Sequence, residues 1–290
     1  MMGFSSWVKP HLRPIGRVPV LGRGLVLLYR LLSNIKVLTR TAWYFLFWLI
    51  RSREYTNLTY RLTQRNEAHL ACFVAEVTGI TFVHARQYLN ELNNDVALTT
   101  HIQDCITNSE DGCFADLDVR FGRRSGWYAI VRALKPRIVV ETGIDKGLGA
   151  CVLTAALLRN AEEGKPGYYY GTDINPKAGY LLQGRYAQAG QILYGDSIQS
   201  LKELPETIDL FINDSDHSAE YEAREYETVE IKLSRQAVVL GDNAHLTDAL
   251  LRFSIRTGRS FLYFQEKPQD HWYPGDGIGI AFHRISSDLL

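Results

Sequence analysis

Apolar and polar positions follow two rhythms along this chain, and the rhythm changes near residue 137. Beyond it, short β-rich runs recur at 137–141 (RIVVE), 167–173 (GYYYGTD), 191–194 (QILY), 208–213 (IDLFIN), 237–241 (AVVLG), 260–265 (SFLYFQ) and 278–284 (GIGIAFH). Between them, apolar residues spaced three and four apart predict helices over 147–160, 176–189, 197–204, 218–234 and 246–257. Strand and helix in alternation predict a parallel sheet covered by helices on both faces. The last two runs are joined instead by EKPQDHWYPGDG, which has no helical pattern. A hairpin suits that connection, so the seventh strand is expected to be antiparallel. The predicted fold class is α/β, a doubly wound seven-stranded sheet with a helical N-terminal extension.

The other rhythm occupies the first half. Residues 19–50, PVLGRGLVLLYRLLSNIKVLTRTAWYFLFWLI, are apolar but interrupted by Arg23, Arg30, Lys36 and Arg40. Their longest uncharged run, Thr41 to Ile50, is about half of the ~20 residues that a membrane span needs. No small-residue cleavage site follows, which argues against a secretory signal. Two readings stand for such a helix. It lies in a membrane interface with Trp43, Tyr44, Phe45, Phe47 and Trp48 at headgroup depth, or it packs on the rest of the chain or on a second subunit, as a homo-oligomer. Residues 67–120 mix helical spacing (EAHLACFVAEV, ARQYLNEL) with the turn cluster TNSEDG, and in GRRSGWYAIVRALKP Ser125 is placed to cap a helix that Pro136 ends. The expected domains are 1–66, a basic apolar segment; 67–135, a helical cap region; and 136–290, the ligand-binding catalytic domain.

Composition sharpens this division. With 46% hydrophobic and 22% charged residues the chain is ordinary globular material. Its formal net charge of zero hides an asymmetry: residues 1–66 carry eleven Lys or Arg and the single acid Glu54, while the remainder is net acidic. A uniformly basic nucleic-acid binder is excluded, and no nucleic-acid partner is expected. Cys72, Cys105, Cys113 and Cys151 form no CxxC pair and no zinc spacing, which predicts free thiols in a reducing compartment. The expected location is cytoplasmic, peripheral on the inner face of a membrane if the basic segment meets lipid.

In a doubly wound sheet the ligand sits outside the carboxyl ends of the strands. Glu141, Gly143, Asp173, Asp196, Asp214, Asp242 and Asn243 all fall at or just after such ends. Any one of these acids is explained by capping a helix or turn. A series at successive ends points instead to a shared ligand. The turn Glu141-x-Gly143-x3-Gly147-x-Gly149 differs from the GxGxxG of nicotinamide enzymes, which disfavours a dehydrogenase. Its glycines let backbone approach a ligand closely, and Asp173 is placed to accept hydrogen bonds from ribose hydroxyls. Asp214, Asp242 and Asn243 are hard oxygen donors suited to magnesium or a similar divalent ion, with Asp216 an alternative to Asp214.

The elements ETGIDKGLGA, GTDINP, YGDS, IDLFINDSDHS and VVLGDNAH together resemble the class I S-adenosylmethionine-dependent methyltransferases, whose fold is Rossmann-like, and within them the metal-dependent small-molecule O-methyltransferases of macrocin and catechol type. The resemblance covers roughly residues 122–284. It implies that Glu141, Gly143 and Gly147 surround the methionine end of the cofactor, Asp173 the ribose and Asp196 the adenine edge, with Asp214 also at the cofactor. It further implies that Asp214, Asp242 and Asn243 hold the metal and that His217, three residues after Asp214, is the general base. The expected function is methyl transfer to a hydroxyl of a small molecule such as a sugar, glycolipid or natural product. The alternatives are a metal-independent methyltransferase and a catalytically inactive membrane-attached scaffold. His271, Trp272 and Tyr273 are candidates for an acceptor wall and Arg123 and Arg124 for an anionic acceptor, while His245 is read as a helix cap.

Overall fold

The computed structural model describes residues 19–55, 59–204 and 207–284. Residues 1–18 of the expected basic segment, with Lys9, Arg13 and Arg17, lie outside the described residues. The chain forms two compact units, one of Met1–Ser52 with Asp270–Tyr273 and one of Arg53–Gln269 with Pro274–Leu290. The division thus falls at Ser52, and the segment read as a separate helical cap belongs to the same unit as the sheet.

In the first unit, α1 (Pro19–Arg51) is one continuous 33-residue helix. The loop Asp270–Tyr273 belongs with it. Asp270 accepts hydrogen bonds from Arg40 (3.0 Å) and from the Tyr44 hydroxyl (2.7 Å), and the Trp272 ring stands 5.3 Å from Phe45 and 5.1 Å from Trp48.

The second unit opens with α2 (Gln64–Thr78), α3 (Phe82–Asn93) and α4 (Val96–Asn108), followed by α5 (Arg124–Leu134). The first three start on side-chain caps, with Thr63, Thr81 and Asp95 accepting from the backbone N–H of Asn66, His84 and Leu98. Such caps satisfy donors that the first helical turn cannot, each contributing about 1 kcal/mol. Ser125 is not a cap; it lies inside α5 and is buried.

From there the alternation is β1 (Ile138–Thr142), α6 (Leu148–Glu162), β2 (Tyr168–Asp173), β3 (Gly190–Tyr194), α7 (Ser197–Glu203), β4 (Ile208–Asn213), α8 (Ala219–Glu230), β5 (Leu233–Asp242), α9 (Ala249–Thr257), β6 (Ser260–Gln265) and β7 (Gly277–Phe282). The strands form one sheet in the order β3-β2-β1-β4-β5-β7-β6, in which β7 pairs antiparallel with both β5 and β6 and the remaining pairs are parallel. The order reverses between β1 and β4, which puts the switch point, and hence a crevice for a ligand, above these two strands. Val140, Phe211 and Val239 from neighbouring strands share one core with Tyr226, Leu250 and Phe253 from α8 and α9. Each large apolar side chain so buried contributes roughly 1.5–3 kcal/mol.

Two helices differ from expectation. Over 176–189 there is no α-helix, only turns and a short 3-10 segment at Tyr186–Ala189. Gly179 and Gly184 sit at φ +76° and +56°, in the left-handed region that a helix cannot use. The helix expected over 218–234 stops at Glu230 because pairing of Leu233 with Ile208 draws the following residues into β5.

Candidate functional site

A cavity of about 600 Å³ opens at the carboxyl ends of β1 to β4, and Gly143, Asp173, Asp196 and Asp214 all line it. Its size falls within the range of small-molecule sites. Gly143 has φ +77°, and a Cβ there would lie 2.1 Å from the Asp214 carbonyl oxygen, so only glycine lets the two strand ends come this close. Asp173 fixes the turn beside it: one carboxylate oxygen accepts from the N–H groups of Ile144 and Asp145 at 3.1 Å each, the other from Asn175 N–H at 2.8 Å. Asp173 is also one of the residues that line the cavity, so the turn it fixes is part of the cavity wall. Asp196 caps α7 through the N–H of Gln199 at 2.9 Å and is exposed at the cavity edge.

Two residues expected around the ligand lie elsewhere. Glu141 is 1% exposed, is absent from the cavity lining, and accepts a hydrogen bond from the Tyr169 hydroxyl. Burial pushes its pKa up to about 7. The reason for its position is geometric: its carboxylate lies where a Cβ on Gly149 would stand, so the missing side chain of that glycine makes room for it beneath α6. Gly147 packs on backbone as well, with its Cβ position 3.0 Å from the Gly179 Cα.

Beside the cavity, Asp214, Asp242 and Asn243 converge as expected, but around a guanidinium. Arg123 donates through Nε and Nη2 to both carboxylate oxygens of Asp242, and Nη2 lies 3.3 Å from the Asn243 side-chain oxygen. Its Nη1 donates to Glu266 at 2.8 Å and to the Tyr60 hydroxyl at 2.7 Å, and that hydroxyl donates to Glu266 at 2.6 Å. Burial alone would raise the Asp242 pKa; the Arg123 charge and its hydrogen bonds hold it below the usual carboxylate range. Burial, reinforced by the charge on Asp242, pushes Asp214 well above that range. Arg124 stands 3.9 Å from Asp214. A divalent cation needs oxygen donors with free lone pairs, usually one or two ionised carboxylates among them, and room for about six ligands. Here one carboxylate is bidentate to arginine, burial disfavours the charged form of the other, and the amide oxygen faces the same arginine. As arranged, these residues do not fit the metal expected from the sequence, and among the described residues no group of three His, Cys, Asp or Glu does so.

His217 joins the acid cluster at its rim. Its Nε2 is 3.2 Å from the Asn243 side-chain nitrogen and 3.8 Å from Asp214, and Nδ1 is 3.5 Å from Glu222. The Glu222 carboxylate raises the His217 pKa above the imidazole norm, and burial opposes it. Asp214 links the histidine to the cavity that it lines. Asp216 also lines the cavity and turns an oxygen to Ser218 N–H. His245 pairs with Asp276 at 3.2 Å, and the trio His271, Trp272 and Tyr273, expected as an acceptor wall, lies in the first unit with α1.

Four participants escape a reading of strand ends: Tyr60, Arg123 as a paired cation, Glu225 and Glu266. Glu225 on α8 is fully buried and collects donors from Thr142 (3.2 Å), Ser215 (2.7 Å), Ser197 and Asn213, tying the ends of β1 and β4 and the start of α7 to one carboxylate. Its signal was available, since it sits one position before the core residue Tyr226, on the face of the helix that also buries Glu222 and Val229.

Residues 140–244 match the sequence profile of a family described as a methyltransferase domain. The match covers roughly a third of the chain, and over that stretch the sequence is similar to that family. The matched stretch runs from β1 through the end of β5 and so contains every residue that lines the cavity. Among solved structures, a candidate O-methyltransferase from Klebsiella pneumoniae is similar in fold over 68% of this chain and 94% of its own, at 14% identity and a TM-score of 0.51. The O-methyltransferase TomG from Streptomyces achromogenes, involved in tomaymycin synthesis and solved with S-adenosylmethionine, is similar over 66% of this chain and 91% of its own, at 18% identity and a TM-score of 0.50. No curated protein matches by sequence.

Proposed function

We propose that the chain transfers a methyl group from S-adenosylmethionine to a hydroxyl of a small molecule, with Asp214 at the boundary between cofactor and acceptor and His217 receiving the hydroxyl proton. The observation that carries this reading is the row Gly143, Asp173, Asp196 and Asp214 along one cavity of a methyltransferase domain. S-adenosylmethionine, when bound, supplies an electrophilic methyl carbon on a sulfonium. The chain has two remaining tasks, to hold the acceptor oxygen in line and to accept its proton. Gly143, Asp173 and Asp196 would hold this donor, which would give up its methyl group and keep the bonding electron pair on sulfur, and His217 would take the proton of the acceptor hydroxyl.

A metal-independent form of this reaction is favoured by the Arg123 pair. Its guanidinium supplies a fixed positive charge to Asp242 that a divalent ion would otherwise supply, and no step is assigned to a metal.

Calorimetry with S-adenosylhomocysteine tests the cofactor half. The wild type is expected to bind, and Asp173→Ala to bind at least tenfold more weakly, as expected for a lost hydrogen bond to a charged group. Screening hydroxylated acceptors with labelled methyl donor tests the transfer half. Absence of binding to the wild type would overturn the reading as a whole; binding with label found only on nitrogen or carbon acceptors would overturn the hydroxyl assignment.

A further inference from the structure

We infer that α1 docks lengthwise on the surface of an anionic lipid bilayer. At about 1.5 Å per residue its 33 residues span roughly 50 Å. At about 100° per residue, Leu28, Leu31, Ile35, Leu38, Leu46 and Leu49 fall on one arc, whereas Arg30, Arg40 and Arg51 fall on the far side, which also carries Val26 and Val37, and Arg23 lies between the two. The six apolar side chains are all exposed, between 43% and 61%. The helix contains no Asp or Glu.

The contacts within this unit leave that arc open. The loop Asp270–Tyr273 meets the helix at Arg40, Tyr44, Phe45 and Trp48, on the cationic side and its edge. Arg40 is thereby paired with Asp270, in an exposed ion pair of small consequence; the other basic residues of the helix are Arg23, Arg30, Lys36 and Arg51. Trp43, 66% exposed, sits where the apolar arc meets the polar one, the position an interfacial tryptophan takes at headgroup depth.

Charge selects among the surfaces that could cover this face. A second copy of the helix would offer these cations no counter-ion, because neither copy carries an Asp or Glu. A bilayer with phosphate-bearing headgroups accepts the apolar arc among its acyl chains while arginines reach the anions. No single described helix is long and apolar enough to cross a membrane, so the helix lies on the surface and does not span it.

The full-length protein is mixed with vesicles of phosphatidylcholine, alone or with one third phosphatidylglycerol, and followed by co-sedimentation and tryptophan emission. Binding is expected to be roughly tenfold or more tighter on the anionic vesicles, with a blue shift of emission and loss of the preference at about 0.5 M salt. Arg23→Gln with Arg30→Gln should abolish most of the preference. These exposed positions leave folding unaffected, so the result is readable even if the second variant, Leu31→Glu with Leu38→Glu, fails to fold. Where that variant folds, judged by an unchanged thermal transition, it should lose binding to both vesicle types. Equal retention on neutral and anionic vesicles, or none on either, overturns the proposal. So does a stable dimer without lipid that the leucine variant dissociates, because the face would then belong to a second copy. No methyl donor enters the assay, so its outcome is independent of the transferase reading.

Discussion

At the scale of single residues, the site is governed by where protons and charges rest. His217 accepts a proton only when neutral, and Glu222 holds its pKa above the ordinary imidazole value. Methyl transfer should therefore rise with pH through an apparent pKa above that of free imidazole. Glu222→Gln removes the stabilisation of the protonated form, lowers that pKa and moves the ascending limb to lower pH; a profile of kcat/KM against pH measures the shift. An unmoved limb would take His217 out of the base role. Arg123 poses a different problem, since its partners Asp242 and Glu266 are 1% exposed each. Arg123→Met leaves two buried carboxylates without their cation and should cost about 3–5 kcal/mol in urea unfolding. A loss below 1 kcal/mol would show that the pair is not formed as described.

At the scale of elements, the strand ends are held together by side chains that come from helices. Glu225 is the clearest case, for it collects hydrogen bonds from two strand ends, the β4–α8 loop and the start of α7. Glu225→Ala leaves several buried donors without an acceptor. It should lower stability by roughly 2–4 kcal/mol and weaken cofactor binding, measured by denaturant titration and calorimetry. Seven strands and four of the five helices were legible in the sequence because their apolar spacing is the signature of a one-sided or two-sided burial. The helix expected over 176–189 was not real: its apolar spacing is satisfied by packing Ala178, Leu181, Leu182 and Tyr186 from turns, and glycine backbone angles that break a helix leave no trace in periodicity.

At the scale of the whole molecule, pH and metal dependence follow from what is buried. Glu141 has a folded pKa of about 7, above its ordinary value, so its neutral form is the one that folding favours. The stability that this form contributes is fully present below the unfolded pKa and is lost as pH rises through about 7. Between about pH 4.5 and 8 the loss should reach about 3 kcal/mol. Thermal melting across that range should show the decline, and Glu141→Gln should flatten it. Exhaustive chelation should leave methyl transfer intact, because Arg123 already neutralises Asp242. Activity restored only by added magnesium would reverse that assignment.

The sequence by itself determined the layered sheet, its antiparallel last strand and the placing of acids at the ligand-facing ends, because each depends on local periodicity and on connection length. Tertiary structure alone decided which of those acids line the cavity and which are paired elsewhere. Asp173 reaches the cavity, Glu141 turns beneath α6, and Asp242 takes Arg123 from 119 residues earlier as its counter-ion. A carboxylate's role is set by the charge and the dielectric around it, and the neighbours that supply both are distant in the chain.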